Sequence, residues 1–345
     1  MMQQKKLSSV FFGTPEFALP SLEAALKTTN VLAVVTQPDR PRGRGQQLSP
    51  CPIKARALKE GLRVFSPPSL RKDSAELREF EEWIAQHAAE GERPDFLFVT
   101  AYGNILPQKF LDWPKIGPIN VHASLLPRWR GAAPIQRCLE MGDSQTGVSL
   151  QKMVFELDAG DVLAEENISL DSKIAAAELT EKLSALGGTL LERFVRSQNE
   201  NSALSGRSQA LDSEKITFAA KITKEEGFWS PDWTATTLHN KVRAFSVWPG
   251  VKARLGENII KIAITELSPD LAVPTKLAVG ELKMHENKVI LGCYSDVRAS
   301  EPNYIVLSEV QLPSKPVGRA LDVLRNLLQA KTQLKLGVPD NSKIG

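Results

Sequence analysis

Asn120 and His122 stand two residues apart in the segment Asn120-Val121-His122-Ala123-Ser124-Leu125-Leu126-Pro127-Arg128-Trp129-Arg130-Gly131-Ala132-Ala133-Pro134. Asp158 follows downstream in Leu157-Asp158-Ala159-Gly160-Asp161. In a strand, side chains two apart share one face. An amide can donate to a developing oxyanion without changing charge, and an imidazole can donate or exchange a proton near neutral pH. A carboxylate nearby would favour the protonated imidazole, or take a proton from an attacking amine through a water. Together the three suit acyl transfer to an amine through a tetrahedral intermediate, with neither a metal nor a protein nucleophile. The chain has only 4 histidines, so one inside a Gly- and Pro-punctuated segment carries weight. Ser124 is a poor nucleophile candidate, because no GxSxG elbow surrounds it. A purely structural alternative stays open at this level. Asn-x-His at a strand end can be a hydrogen-bonding pair, and Asp before Ala-Gly can simply make a turn.

These residues sit in a pattern of alternating strands and helices. Val10-Phe11-Phe12 reads as a strand, Gly13-Thr14-Pro15 as a turn, and Phe17 to Leu26 as a helix. Val31 to Thr36, Arg63 to Phe65, Asp95 to Val99 and Ile119 to Val121 read as further strands. A helix is expected from Leu70 to Ala89, where Leu77, Phe80, Trp83, Ile84 and His87 recur at helical spacing. Such alternation predicts an α/β fold with a Rossmann-like, doubly wound, mostly parallel sheet. Sites in such sheets lie beyond the carboxyl ends of strands. Tyr102, Asn104, Asn120 and His122 all fall at or just past predicted strand ends.

Thr146 to Val154 and Val162 to Leu170 read as strands flanking the Asp158 loop. Leu179, Leu183, Leu186, Leu190 and Phe194 mark one face of a helix from Ala175 to Arg196. Ser197 to Ser213, rich in Ser, Asn and Gln, reads as a linker. Short strands then follow at Val251–Leu255, Ile259–Thr265, Lys288–Cys293 and Tyr304–Leu307, which suggest a C-terminal β-barrel, OB-like as one option. Ala320 to Ala330 reads as a helix, and Asn341 to Gly345 as a frayed end. The expected division is a catalytic domain over 1–200, a linker over 201–217 and a barrel domain over 218–335.

Composition narrows the class. The chain has 345 residues, 42% hydrophobic and 24% charged, as in ordinary globular proteins. A net charge of +3 neither demands nor excludes a nucleic-acid partner. Cys51, Cys138 and Cys293 lie far apart with no CxxC pair, so the usual zinc spacing is missing and a reducing compartment is expected. Met1 to Val10 does not read as a signal peptide, and no run is long enough to span a bilayer. The expectation is a cytoplasmic protein with no metal and no membrane association.

Four segments extend this reading. Phe12-Gly13-Thr14-Pro15-Glu16-Phe17, Thr36-Gln37-Pro38-Asp39-Arg40-Pro41, Asn120 to Pro134 and Leu157 to Asp161 together resemble the methionyl-tRNA formyltransferase family. His122 to Pro127 resembles the core of the wider folate-dependent formyltransferase superfamily, and the first two motifs with Arg128-Trp129-Arg130-Gly131 narrow it to the tRNA enzymes. The resemblance implies transfer of a formyl group from 10-formyltetrahydrofolate to the α-amino group of methionine on initiator tRNA. It implies that Asn120, His122 and Asp158 are the catalytic trio. Ser124, Leu125, Leu126 and Pro127 would contact the folate, with Tyr102, Ile105 and Leu106 lining its pterin pocket.

Pro38 to Lys54 interleaves Arg40, Arg42, Arg44 and Lys54 with Pro41, Gly43 and Gly45, a basic loop suited to phosphate contacts. It carries no GxGxxG motif and no Walker lysine, and on charge alone it could be a solvated loop. The resemblance implies that it enters the acceptor end of the tRNA, with Arg44 as its key arginine. Arg128, Trp129 and Arg130 could stack on a base or bind phosphate, or could lock the loop to the fold. Trp248, in Trp248-Pro249-Gly250, is expected in the core. Ser295 to Val310 departs from the family, and Ser314-Lys315-Pro316-Val317 stands where a more basic Gly-Lys-Lys run is usual, which weakens the expected grip of the second domain on tRNA. A monomer is expected. Competing readings are a formyltransferase for a small amine, a formyltetrahydrofolate hydrolase, and a non-catalytic RNA-binding protein. The basic loop disfavours the first two and the intact trio the third.

Overall fold

The computed structural model describes residues 6–42, 47–268, 271, 277–295, 303–330 and 334–339. They form two compact units. One comprises Met1–Pro134, Gln145–Ser169 and Thr180–Ala219; the other comprises Ile135–Ser144, Leu170–Leu179 and Ala220–Gly345.

In chain order the elements begin with β1 (Ser8–Gly13), α1 (Leu19–Thr28), β2 (Asn30–Val35), the short β3 (Arg40–Arg42) and β4 (Gln47–Ser49), α2 (Pro52–Lys59) and β5 (Arg63–Phe65). Next come α3 (Ala75–Ala89), β6 (Phe96–Thr100), α4 (Gln108–Leu111), β7 (Gly117–His122), β8 (Arg130–Gly131) and α5 (Pro134–Met141). Then follow β9 (Gln145–Lys152), β10 (Val162–Ser169), α6 (Ala176–Arg196) and β11 (Phe218–Ala219). The main sheet of the first unit has seven strands in the order β10-β9-β7-β6-β1-β2-β5. Strands β1, β2, β5, β6 and β7 run parallel, and β9 is antiparallel to β7 and β10. The chain steps outward from β1 through β2 to β5, then returns to the other side of β1 with β6 and β7. That reversal is a topological switch point, where a crevice opens beyond the strand ends.

The central strands are apolar on both faces, as helix-covered parallel strands must be. Val10, Phe11 and Phe12 are fully buried. One face carries Phe12, Phe65, Phe80, Trp83, Phe110 and Trp113 in a single cluster. α3 begins at Ala75, five positions later than the apolar pattern suggests. The Ser74 hydroxyl accepts from Leu77 N at 3.1 Å and caps the helix there, while the Ser69 hydroxyl accepts from Arg71 N at 3.1 Å and holds the preceding residues in a turn. α6 buries Leu183, Leu190, Leu191 and Val195, and leaves Leu186 and Phe194 half-buried. Its inward face is rotated from the leucine stripe because Gly187 and Gly188 sit against the fold; a Cβ on Gly188 would lie 2.6 Å from Pro20.

The second unit continues with α7 (Ala235–Ala244), β12 (Val251–Leu255), β13 (Asn258–Glu266), β14 (Glu281–His285), β15 (Lys288–Gly292) and β16 (Tyr304–Gln311). It ends with β17 (Gly318–Arg319), α8 (Ala320–Ala330) and β18 (Leu334–Gly337). The order β13-β12-β18-β14-β15-β16 closes on itself through β13–β16 pairing, giving a closed antiparallel barrel that leaves no free edge. Ile260, Ile290, Ile305 and Val310 fill it. The expected barrel is present. Its closure depends on β14 and β18, whose short mixed sequences carry little strand signal. Trp248, expected in the core, is instead 52% exposed. The C-terminal stretch Asn341 to Gly345 lies outside the described residues.

α7 buries His239, whose Nε2 lies 2.7 Å from the Ser172 carbonyl and Nδ1 3.0 Å from the Thr265 hydroxyl. Burial pushes this imidazole below its usual 6.5; the Ser172 carbonyl pulls the other way, and the charge of Arg243 adds to the lowering. The unfolded chain therefore takes up a proton more readily than the folded one. The contribution of neutral His239 is full above pH 6.5 and is lost progressively below it. We expect thermal unfolding followed between pH 8 and 5 to show a falling midpoint in wild type, and a shallower fall in His239→Gln. Equal slopes in the two proteins would contradict this assignment.

Candidate active site

The sequence motifs converge at the carboxyl ends of β1, β6 and β7. The Thr14 hydroxyl donates to the Tyr102 carbonyl at 3.3 Å and accepts from Gln37 N at 3.2 Å. Gln37 Nε2 donates to the same Tyr102 carbonyl at 3.3 Å. The turns after β1, β2 and β6 are thereby laced together next to the switch point.

Asn120 and His122 share one face of β7. His122 is 6% exposed and ends the strand. Its Nε2 lies 2.9 Å from the Trp129 carbonyl, an acceptor only, so Nε2 carries the proton. Its Nδ1 then faces Asp158 Oδ2 at 3.8 Å. That separation is too long for a direct hydrogen bond and leaves Nδ1 available to a reacting group. Asn120 is half-buried, and its side-chain amide bonds to no other described residue.

Asp158 sits on the β9–β10 connection with a left-handed φ of +50°. Such a backbone costs roughly 1–2 kcal/mol for a residue other than glycine. Side-chain bonds offset that cost. Oδ2 accepts from Gly131 N at 2.8 Å, and Oδ1 accepts from Gln151 Nε2 at 2.8 Å. Gln151 stands opposite Asn120 in the β7–β9 register, and its own Oε1 is buried without a partner. The trio named from sequence is thus brought together by one strand pair and one loop.

The segment after β7 is locked by its own polar groups. Ser124 is fully buried; its hydroxyl donates to the Arg128 carbonyl at 2.6 Å, so it is engaged in shaping the turn. The Ser149 hydroxyl donates to the Ser124 carbonyl at 2.8 Å and accepts from Leu126 N at 3.0 Å. Leu126 and Pro127 are buried and Leu125 is half-buried. Trp129 is buried beneath the Arg128 guanidinium, 4.4 Å from its ring centroid, and Arg130 is 6% exposed. Trp129 and Arg130 are therefore integral to the fold, the second of the two readings open from sequence.

Tyr102 packs edge-on against Phe12 with ring centroids 5.3 Å apart. Burial pushes its phenol up to about 12, with the neighbouring Asn104 pulling the other way. Neither Tyr102 Oη nor Asn104 Nδ2 makes a well-formed hydrogen bond, although both are buried. Orphaned polar atoms at a strand end suit a ligand that carries ring donors and acceptors. Leu106 is buried and Ile105 is 56% exposed. In the basic segment, β3 and β4 pair antiparallel, with Arg40 opposite Ser49. Arg40 is exposed, Arg42 lies on β3, and Lys54 pairs with Asp39 at 2.8 Å. Arg44 lies outside the described residues.

The sequence matches the formyl transferase family over residues 6–195 and the formyl transferase C-terminal domain over residues 221–327. A methionyl-tRNA formyltransferase from Pseudomonas syringae pv. tomato is 38% identical over 315 residues, covering 90% of this chain and 92% of the relative. Another from Myxococcus xanthus is 39% identical over 319 residues, covering 92% and 94%. The chain belongs to the methionyl-tRNA formyltransferase family. It is a formyltransferase. Among solved structures, HypX from Aquifex aeolicus in complex with tetrahydrofolic acid superposes with a TM-score of 0.53 at 14% identity, covering 94% of this chain and 48% of that one. WlaRD, a sugar 3N-formyl transferase, has a TM-score of 0.53 at 16% identity, covering 90% and 99%. At these identities the likeness establishes the fold. Among the described residues, no helix of this enzyme is long and apolar enough to cross a membrane.

Two site residues escape sequence reading. Gln151 sits in an ordinary strand pattern, and Gln209 lies in a segment whose composition signals a linker. Neither carries a motif: Gln151 reaches Asp158 across the turn that follows β9, and Gln209 reaches the Asp158 and Gly160 carbonyls from a distant segment.

Proposed function

We propose that this enzyme transfers the formyl group of 10-formyltetrahydrofolate to the α-amino group of methionine on initiator tRNA. The observation that carries the reading is the apposition of His122 Nδ1 and Asp158 at 3.8 Å beside the unengaged Asn120 amide. The relatives named methionyl-tRNA formyltransferase, matched over nine-tenths of the chain, supply the substrate class.

In this reading the methionyl amine attacks the formyl carbon, forming a C–N bond and a tetrahedral oxyanion. Asn120 Nδ2 and the Nδ1–H of protonated His122 donate to that oxygen. The His122 Nε2–H stays on the Trp129 carbonyl and holds the ring in place. Asp158 stabilises the imidazolium and accepts the proton of the attacking amine through a water. Collapse breaks the bond between the formyl carbon and N10 of the folate, and N10 takes up that proton. Ser124, Leu125, Leu126 and Pro127 border the folate, with Tyr102 and Ile105 toward its pterin ring. Arg40, Arg42 and Arg44 meet the acceptor end of the tRNA, and the barrel domain over 218–335 meets its backbone. The enzyme acts as a cytoplasmic monomer.

The test is formylation by pure protein of charged initiator and elongator methionyl-tRNA. Formyl-methionyl product on the initiator, at a rate well above the elongator, is expected. Absence of product on either tRNA overturns the reading, and formate release without any acceptor points to a hydrolase.

A further inference from the structure

Residues 207–217 cross the site on which the proposed function rests. Arg207 N and O pair with the O and N of Val162 at 2.8 and 2.9 Å, and Arg207 Nη2 donates to the Leu126 carbonyl at 3.1 Å. Farther along, the Thr217 hydroxyl accepts from Trp129 N at 2.9 Å, and the Thr217 carbonyl accepts from Arg130 N at 2.9 Å. Trp129 is the residue whose carbonyl holds the His122 ring.

Gln209 is the centre of this crossing. Its side chain is 1% exposed. One amide nitrogen donates twice, to the Asp158 carbonyl at 2.9 Å and the Gly160 carbonyl at 2.6 Å. Its oxygen accepts from Arg130 Nε at 2.9 Å. Both donors of the amide and its acceptor are thus engaged. The two carbonyls flank Ala159 on the turn that holds Asp158 in its left-handed conformation. Arg130 lies next to Gly131, whose N–H grips the Asp158 carboxylate. One side chain therefore ties the backbone of the Asp158 turn to the segment that orients both His122 and the carboxylate.

We infer that Gln209 is a positioning residue for formyl transfer, acting through Asp158, and that the 207–217 segment is a strap which sets the His122–Asp158 geometry. It touches no reacting atom in this arrangement. Its effect is the placement of the carboxylate, and a displacement near 1 Å can cost about a hundredfold in rate.

Gln209→Met removes all three bonds at nearly constant volume. Gln209→Glu keeps an acceptor for Arg130 but sets a carboxylate oxygen against the Asp158 and Gly160 carbonyls, and a melting curve on each variant separates lost positioning from lost fold. Either change is expected to lower kcat about tenfold or more, with KM for both substrates within about twofold of wild type. In an Asp158→Asn background the same change should cost less than about twofold, because the group being positioned is already lost. Unaltered kcat, or an equal loss in both backgrounds, overturns the inference. A second readout needs no activity. Hydrogen exchange at Gly131 N–H should quicken about tenfold or more in Gln209→Met while β6 and β7 stay protected; unchanged exchange at Gly131 also overturns it. Inactive wild-type protein would remove the proposed reaction but leave the exchange test standing.

Discussion

Asp158→Asn is expected to lower the formylation rate by about a thousandfold while leaving the unfolding midpoint within a few degrees of wild type. The size follows from losing one proton-managing group and its electrostatic support of the oxyanion donor. The small structural cost follows from the bonds Asp158 makes. Gly131 N can still donate to the amide oxygen of the replacement. Gln151 now donates to Asp158 and has a buried Oε1 without a partner. Turning its amide over would present that oxygen to the new NH2 group and leave Nε2 in the partnerless position Oε1 now occupies, so the number of unpartnered buried groups does not rise. The variant thus separates chemistry from folding. Steady-state formylation with charged initiator tRNA, paired with a melting curve, decides it. Activity within tenfold of wild type would remove Asp158 from the proton path.

Gly160→Ala is expected to damage both stability and activity, for a different reason. A Cβ at this position would lie 1.7 Å from the Lys152 carbonyl oxygen. That oxygen belongs to the end of β9, where Lys152 N donates to the Asp161 carbonyl at 2.9 Å. Neither side of the contact is a flexible side chain, so the loop backbone must move. Movement would break the bond from Gln209 to the Gly160 carbonyl and shift Asp158, two residues away. We expect a loss of about 3–5 kcal/mol in denaturant unfolding, with formylation reduced at least as far as in Asp158→Asn. A variant with wild-type stability and rate would mean that the loop tolerates the methyl group, and that its tight return is not needed to place the carboxylate.

Both predictions concern one loop, and its legibility in sequence was uneven. Leu157 to Asp161 stands out as a turn flanked by strands, and its order after Asn120 and His122 is readable along the chain. The partner of Asp158 is not. Gly131, Gln151 and Gln209 lie on three different segments, and no local spacing connects them. Ser74 illustrates a similar limit at an element boundary. The apolar period runs on toward Leu70, but a hydroxyl cap and a Ser69 turn set the start of α3.

Local physics explains what could be read without coordinates. Val10 to Phe12, Val31 to Val35 and Phe96 to Val99 are short apolar runs, rich in β-branched and aromatic residues, between turn signals, and that combination points to buried parallel strands. With helices between them, they determine a doubly wound sheet and hence the end at which Tyr102, Asn120 and His122 emerge. Side-chain period two puts Asn120 and His122 on one face whatever the rest of the fold does. Tertiary structure settles what depends on distant partners: the 3.8 Å approach of Asp158 to His122, the closure of the barrel by β18, the exposure of Trp248, and the conversion of an apparently featureless polar segment into a strap. Composition describes 207–217 as linker because polar residues usually meet water. Here Gln209 meets two carbonyls and a guanidinium instead, and a buried amide with every bond satisfied is as much part of a core as a leucine.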